Sequence, residues 1–203
     1  MGFFDSLKRA ASSTIKREAS KAVTNAVRQG MDSVGKGKNS SQTFTFSSIP
    51  SSVQELCQFP EASLDSPFKA TALAMIALCK YESSPVAFYE ILDFLKGPES
   101  VSPFERQFID ERLRGKGYKV RSYFEGATPE NGYKPTEPYT ISVYENPYSF
   151  DNENWAVMWV KSSGADNMRQ IKLRKKPSTG QWFVNDIQCL SDIRVPVEED
   201  PWA

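Results

Sequence analysis

The chain has 203 residues, 25 Lys and Arg against 25 Asp and Glu, and no histidine. Without histidine there is no Ser-His-Asp or Cys-His catalysis, no His-ligated metal site, and no side chain that ordinarily serves as general base near neutral pH. A hydrophobic content of 39%, with four Trp, thirteen Phe and eight Tyr, is enough for a real core and excludes wholesale disorder. The zero net charge is unevenly spread. Residues 1–40 carry eight basic and three acidic side chains, while 41–203 carry seventeen and twenty-two, a +5 arm on a −5 body. Such an arm seeks anionic surfaces, or the body itself. Cys57, Cys79 and Cys189 have neither metal-knuckle nor CxxC spacing and read as free thiols of a reducing compartment. The first thirty residues lack a continuous apolar stretch, and no run reaches the ~20 apolar residues that span a bilayer. A cytoplasmic protein is expected, with peripheral attachment at the inner membrane face as an option.

Residues 1–34 read as one basic amphipathic helix. Phe4, Leu7, Ala11, Ile15, Ala19, Ala22 and Ala26 recur at helical spacing, and Lys8, Arg9, Lys16 and Arg17 fall off that stripe. The Gly-, Lys- and Ser-rich stretch 35–42 reads as a flexible linker. A single α+β domain is predicted over 43–203. Thr43-Phe44-Thr45-Phe46 alternates as a short strand. A helical block follows over about 51–114. Its first helix spans 51–58. A second, capped by Ser66 and opened by Pro67, is apolar nearly all round and is predicted to be the central buried helix. A third follows Ser84-Pro85 and stops at Gly97-Pro98. A fourth starts at Ser102-Pro103-Phe104-Glu105, a capping-box pattern, and runs to Gly115. Strands are predicted over about 118–188: 118–124, then an antiparallel meander of 139–144, 155–161, 169–175 and 181–188. Segments 155–160 and 182–184 are apolar on both faces, as central or doubly covered strands are. An acidic tail occupies 195–203. Helices first and strands afterwards imply an α+β fold, the helical block packed on one face of the meander.

Several motifs carry a resemblance over 67–203. They are Arg-Leu-Arg-Gly-Lys at 112–116, Arg-Ser-Tyr-Phe at 121–124, Gly-Ala-Thr-Pro at 126–129, Pro-Tyr-Thr-Ile at 138–141 and Asn-Pro-Tyr-Ser-Phe at 146–150. The run from Ile171 to Trp182 and the closing segment from Ile187 to Pro196 complete them. Together they resemble an uncharacterised family of bacterial proteins. The resemblance implies a bacterial source and no particular activity. In its last strands, with Gly180-Gln181 leading into Trp182, the chain also resembles the cone-shaped NTF2-like domains, a fold that hosts enzymes and binding modules alike.

Three surfaces are candidates for binding. Phe3, Phe4, Leu7 and Ile15 of the arm could enter a membrane surface while Lys8, Arg9, Lys16 and Arg17 meet anionic headgroups. Its small residues could instead support self-association into a homo-oligomer, and the plainer alternative is a helix docked on its own domain. Arg112, Arg114, Lys116, Lys119 and Arg121, joined by Lys172 and Arg174, form a basic cluster suited to phosphate, nucleotide or nucleic acid. The plainer alternative is a solvated face with helix C-terminal cations. The aromatic set Tyr133, Tyr139, Tyr144, Tyr148, Phe150, Trp155, Trp159 and Trp182 could line a groove but serves equally as sheet core. Within it, Tyr148 and Phe150 are expected to be exposed. No catalytic residue, metal site or cofactor is expected, since phosphate loops, calcium loops and metal spacings are missing from the sequence. The expected function is a non-enzymatic binding or adaptor protein, its arm tethering it to an anionic membrane surface or a protein partner. The alternatives are an NTF2-like small-ligand domain with an unrecognised activity, or nucleic-acid binding through the basic cluster.

Overall fold

In the computed structural model, residues 39–202 are described. The arm helix predicted over 1–34, and the linker up to residue 38, lie outside the described residues. The rest is an α+β fold. Helices α1 (Val53–Leu56), α2 (Pro67–Leu78), α3 (Pro85–Lys96), α4 (Pro103–Leu113) and α5 (Tyr118–Arg121) sit between strand β1 (Ser40–Phe46) and strands β2 (Tyr139–Glu145), β3 (Trp155–Val160), β4 (Arg169–Lys176) and β5 (Gln181–Ile187).

The helices begin where their chemistry directs. Ser52, Ser66, Ser84 and Ser102 each accept a backbone N–H of the first turn, which satisfies one of the orphan donors of a helix start. At Ser102 the capping box is complete. The Glu105 Oε2 takes the Ser102 N–H at 2.8 Å and its hydroxyl at 2.7 Å. Helix α3 stops at Gly97, whose φ of +67° suits glycine and whose Cα lies against the Phe183 ring, so that no side chain fits there. Helix α2 is the central helix: Lys69 is its one residue that is not buried, and it touches all five strands.

The five strands form one antiparallel sheet in the order β1-β2-β3-β4-β5. β1 begins at Ser40, so residues 40–42 of the predicted linker pair with β2 instead. The strand predicted over 118–124 is the one-turn helix α5 followed by a turn. Its alternating apolar residues Tyr118, Val120 and Phe124 are buried but in no ladder, with Tyr118 stacked on Tyr133 and Phe124 edge-on to Tyr139.

Strand polarity separates the two faces. Phe44, Phe46, Ile141, Val143, Ala156, Met158, Val160, Ile171, Leu173 and Val184 point inward and are buried. β5 would lose this phase after Val184 without one irregularity. Asn185 is an extra residue, since Leu173 pairs with Val184 while Lys172 pairs with Asp186. This bulge returns Ile187 to the core and sends Asp186 outward to an ion pair with Lys172 at 3.8 Å. It also leaves the Asn185 carbonyl free to accept from Lys96 Nζ at 3.2 Å. Lys96 is 7% exposed and pairs with Glu105 Oε1 at 2.5 Å. With the Trp182 N–H donating to the Leu64 carbonyl at 2.8 Å, the outer edge of β5 is closed to further pairing.

Candidate functional site

A cluster of ionisable groups lies between α3 and α4. A single oxygen of Asp110, Oδ1, accepts both the Tyr81 and the Tyr89 hydroxyl at 2.7 Å. Arg114 approaches the other oxygen at 3.7 Å, and the Arg106 guanidinium lies 4.2 Å from the centre of the Tyr89 ring. Burial favours protonated Asp110, but the two hydroxyls and the arginines outweigh it and hold the carboxyl below its usual range. Burial, then the hydrogen bond to Asp110, raises both tyrosines. They therefore stay donors at neutral pH, and the cluster ties α3 to α4. An open groove of about 590 Å³ runs above it, lined in part by Glu82, Val86, Glu90 and Asp93.

The basic residues predicted to form one cluster separate into groups. Arg112 stacks on the Phe108 ring at 3.5 Å and donates to the Ser191 hydroxyl at 3.4 Å. Lys119 donates to the Leu190 carbonyl at 3.2 Å. Arg169, which the sequence reading passed over, donates to the Ser191 and Asp192 carbonyls at 3.2 and 2.9 Å. Tyr123 reaches the Cys189 carbonyl and Tyr133 the Arg194 carbonyl. These donors fasten the C-terminal segment 189–194 by its backbone. Lys119 is driven toward its neutral form by burial first and by Lys116 and Arg112 next, so these three do lie close together. Lys116 is exposed. Arg114 pairs with Asp110, and Arg121 with Glu82 and the Tyr133 carbonyl.

Lys172 and Arg174 stand elsewhere, on the outer face of the sheet. Strand alternation places Tyr144, Trp155, Val157, Trp159 and Phe183 on that face with them. Across the ladder Tyr144 faces Trp159, Trp155 faces Arg174, Val157 faces Lys172, and Arg174 faces Phe183. Trp155 is 37% exposed, the other four apolar side chains are half-buried, and the Arg174 guanidinium lies 5.4 Å from the centre of the Trp155 ring. The Trp159 Nε1–H is buried and has no acceptor among the described residues. On β1 the same face is polar, with Thr43 and Thr45 hydroxyls bonded to Ser142 and Thr140.

Tyr148 is 73% exposed at the tip of the β2–β3 loop. Phe150, expected beside it, is half-buried and packs edge-on against Trp182, with centroids 6.3 Å apart. The arm residues Phe3, Phe4, Leu7, Lys8, Arg9, Ile15, Lys16 and Arg17 lie outside the described residues. Among those described, no group of three or more Cys, Asp or Glu could hold a metal ion, and no helix is long and apolar enough to cross a membrane.

Burial pushes the Cys79 and Cys189 thiols up to about 12, whereas Cys57 is exposed. Because the thiolate is the reactive form, native protein at about pH 8 should show one fast thiol toward a disulfide reagent, and Cys57→Ser should remove it. Two or more fast thiols would contradict the raised thiols of half-buried Cys79 and buried Cys189.

An α+β domain with a five-stranded antiparallel meander, a buried central helix and aromatic side chains on the outer face of the sheet is thus the class defined here. Residues 48–197 match the family model described as Domain of unknown function (DUF6935), and the chain belongs to that family. No curated protein and no solved structure matches it, so the likeness of the last strands to NTF2-like domains gains no support.

Proposed function

We propose that the chain is a non-enzymatic binding protein. Its α+β domain presents the outer sheet face to a ligand, and its basic arm tethers it to an anionic membrane surface or a protein assembly. The observation that carries this reading is the contrast between the two polar regions of the domain. The Tyr81–Tyr89–Asp110 cluster has its donors and acceptors engaged in holding two helices together. The outer sheet face instead carries Trp155, 37% exposed, with half-buried Tyr144 and Trp159 and exposed Arg174, where an antiparallel sheet covered on one side is ordinarily polar. The +5 charge of residues 1–40 supports the tether.

Co-sedimentation with phosphatidylglycerol vesicles at low salt tests that arm. Each basic residue near such a surface contributes about 1 kcal/mol, so changing Lys8, Arg9, Lys16 and Arg17 together to Glu should abolish sedimentation of the full chain. Equal sedimentation of parent and variant, or none of the parent, overturns the membrane tether.

A further inference from the structure

We propose that the outer sheet face is a binding platform for single-stranded nucleic acid. The inference rests on reading the domain as a binding module and names its ligand class. Three observations converge on it. First, Trp155 and Trp159 lie on one face of β3, about 13 Å apart at strand spacing, with Tyr144 across one ladder; Phe183, two strands away, is flanked by Gly97. A row of rings on an open sheet stacks unpaired bases regardless of sequence. Second, Lys172, Arg174 and Lys176 alternate along β4 on the same face, Arg174 between Trp155 and Phe183, Lys172 between Val157 and Asp186, and Lys176 opposite Gln181. Their spacing is about 6.6 Å at two residues per step, close to the phosphate repeat of an extended single strand. Lys172 and Arg174 pair with Asp186 and Glu99 at 3.8 and 3.3 Å, the first pair about two-fifths exposed and the second more than half exposed. Ion pairs of that exposure are weak and exchange readily for phosphate. Third, the two ends of the platform are grooved. One groove, of about 250 Å³, is lined by Phe183, Arg174, Lys176 and the Arg174 partner Glu99. The other, of about 470 Å³, is lined in part by Tyr144, Trp159 and Met168.

The charge pattern favours a polyanion over a neutral sugar. Rings lying along a sheet, rather than projecting from a helix, favour splayed bases over a duplex, whose base faces are closed to stacking. The rings are also half-buried among their neighbours instead of protruding, which disfavours insertion into a membrane.

The experiment is fluorescence anisotropy of a labelled oligothymidylate of about 15 nucleotides, within the range of known single-strand sites, titrated with the full chain. Duplex of equal length and heparin serve as comparison polyanions. The parent should bind the single strand more tightly than either. Trp155→Ala should weaken binding about 5- to 100-fold, with Trp155→Phe retaining most of it. Arg174→Ala should lower the slope of log affinity against log salt by about 0.7. Near-ultraviolet circular dichroism checks that each variant is folded. No binding at low salt overturns the proposal. So does equal binding of duplex or heparin. Indifference to Trp155→Ala, with loss on reversing the arm charges, overturns it as well, because the arm then accounts for the affinity. So does a Trp155→Ala defect confined to vesicle binding. Failure here with the vesicle result intact removes the ligand class and leaves the tether standing.

Discussion

Replacing Leu73 by alanine should destabilise the domain by about 2–5 kcal/mol, read from urea unfolding of the full chain. Leu73 is fully buried in the middle of α2. The helix is held by strands on one side and by α3 and the 3-10 turns on the other, so the void left by the lost side chain has little room to collapse. The same helix supplies its own control. Lys69 is its one residue that is not buried, in an exposed ion pair with Asp65 at 3.0 Å. Lys69→Ala should change stability by no more than about 0.5 kcal/mol, the weight of such pairs. A Leu73→Ala cost below about 1 kcal/mol would mean that α2 is not the helix around which the sheet closes.

Lys96→Met is the second large effect, about 2–3 kcal/mol. Its ammonium joins three elements: the end of α3, the capping box of α4 through Glu105, and the bulge of β5 through the Asn185 carbonyl. Methionine keeps the stem and removes the charge. It leaves a half-buried carboxylate and a bulge carbonyl without their donor. The pH dependence gives a sharper readout than the magnitude. Burial pushes Glu105 up, but the Lys96 ammonium and the Ser102 N–H and hydroxyl together hold it below its ordinary 4.5. A carboxylate depressed in the folded state contributes stability that is complete above the unfolded value and lost as pH falls through the folded one. The gap between parent and Lys96→Met should therefore be level from about pH 7 to about pH 5 and shrink below about 4.5. A gap that stays constant to about pH 3 would show that Glu105 is not the partner that matters.

Much of the helical block could be read from local chemistry. Ser66-Pro67, Ser84-Pro85 and Ser102-Pro103 mark three helix starts because a serine oxygen beside a proline-fixed turn satisfies the first free N–H groups whatever else the chain does. The all-round apolar pattern of α2 identified the central helix for the same reason, since such a helix has no face to leave in water. The meander was legible from alternation and from the turn at 177–180. Residues 118–124 misled because one helical turn is too short to express a 3.6-residue period. Tyr118, Val120 and Ser122 then alternate just as a strand would.

The proposed binding surface was half legible. The aromatic set was visible, but Trp155 and Trp159 fall on the outer face and Trp182 on the inner, a division made by strand phase and pairing rather than by residue type. The basic cluster was visible too, yet neighbours in sequence such as Arg112 and Arg114 point to different partners, Ser191 and Asp110.

By itself the sequence determined the exclusion of histidine chemistry, the basic arm, the α+β class, the helix starts and the identity of the meander strands. All of these follow from composition or from interactions within a few residues. Tertiary structure alone decided that β1 pairs with β2 across the entire helical block, that Asn185 bulges so that Asp186 turns outward, and that Lys119 and Arg169 bind backbone carbonyls of the C-terminal segment while Arg112 donates to the Ser191 hydroxyl. Each of those is a contact between residues far apart in the chain, chosen by which donors and apolar faces remain unsatisfied once the core has closed.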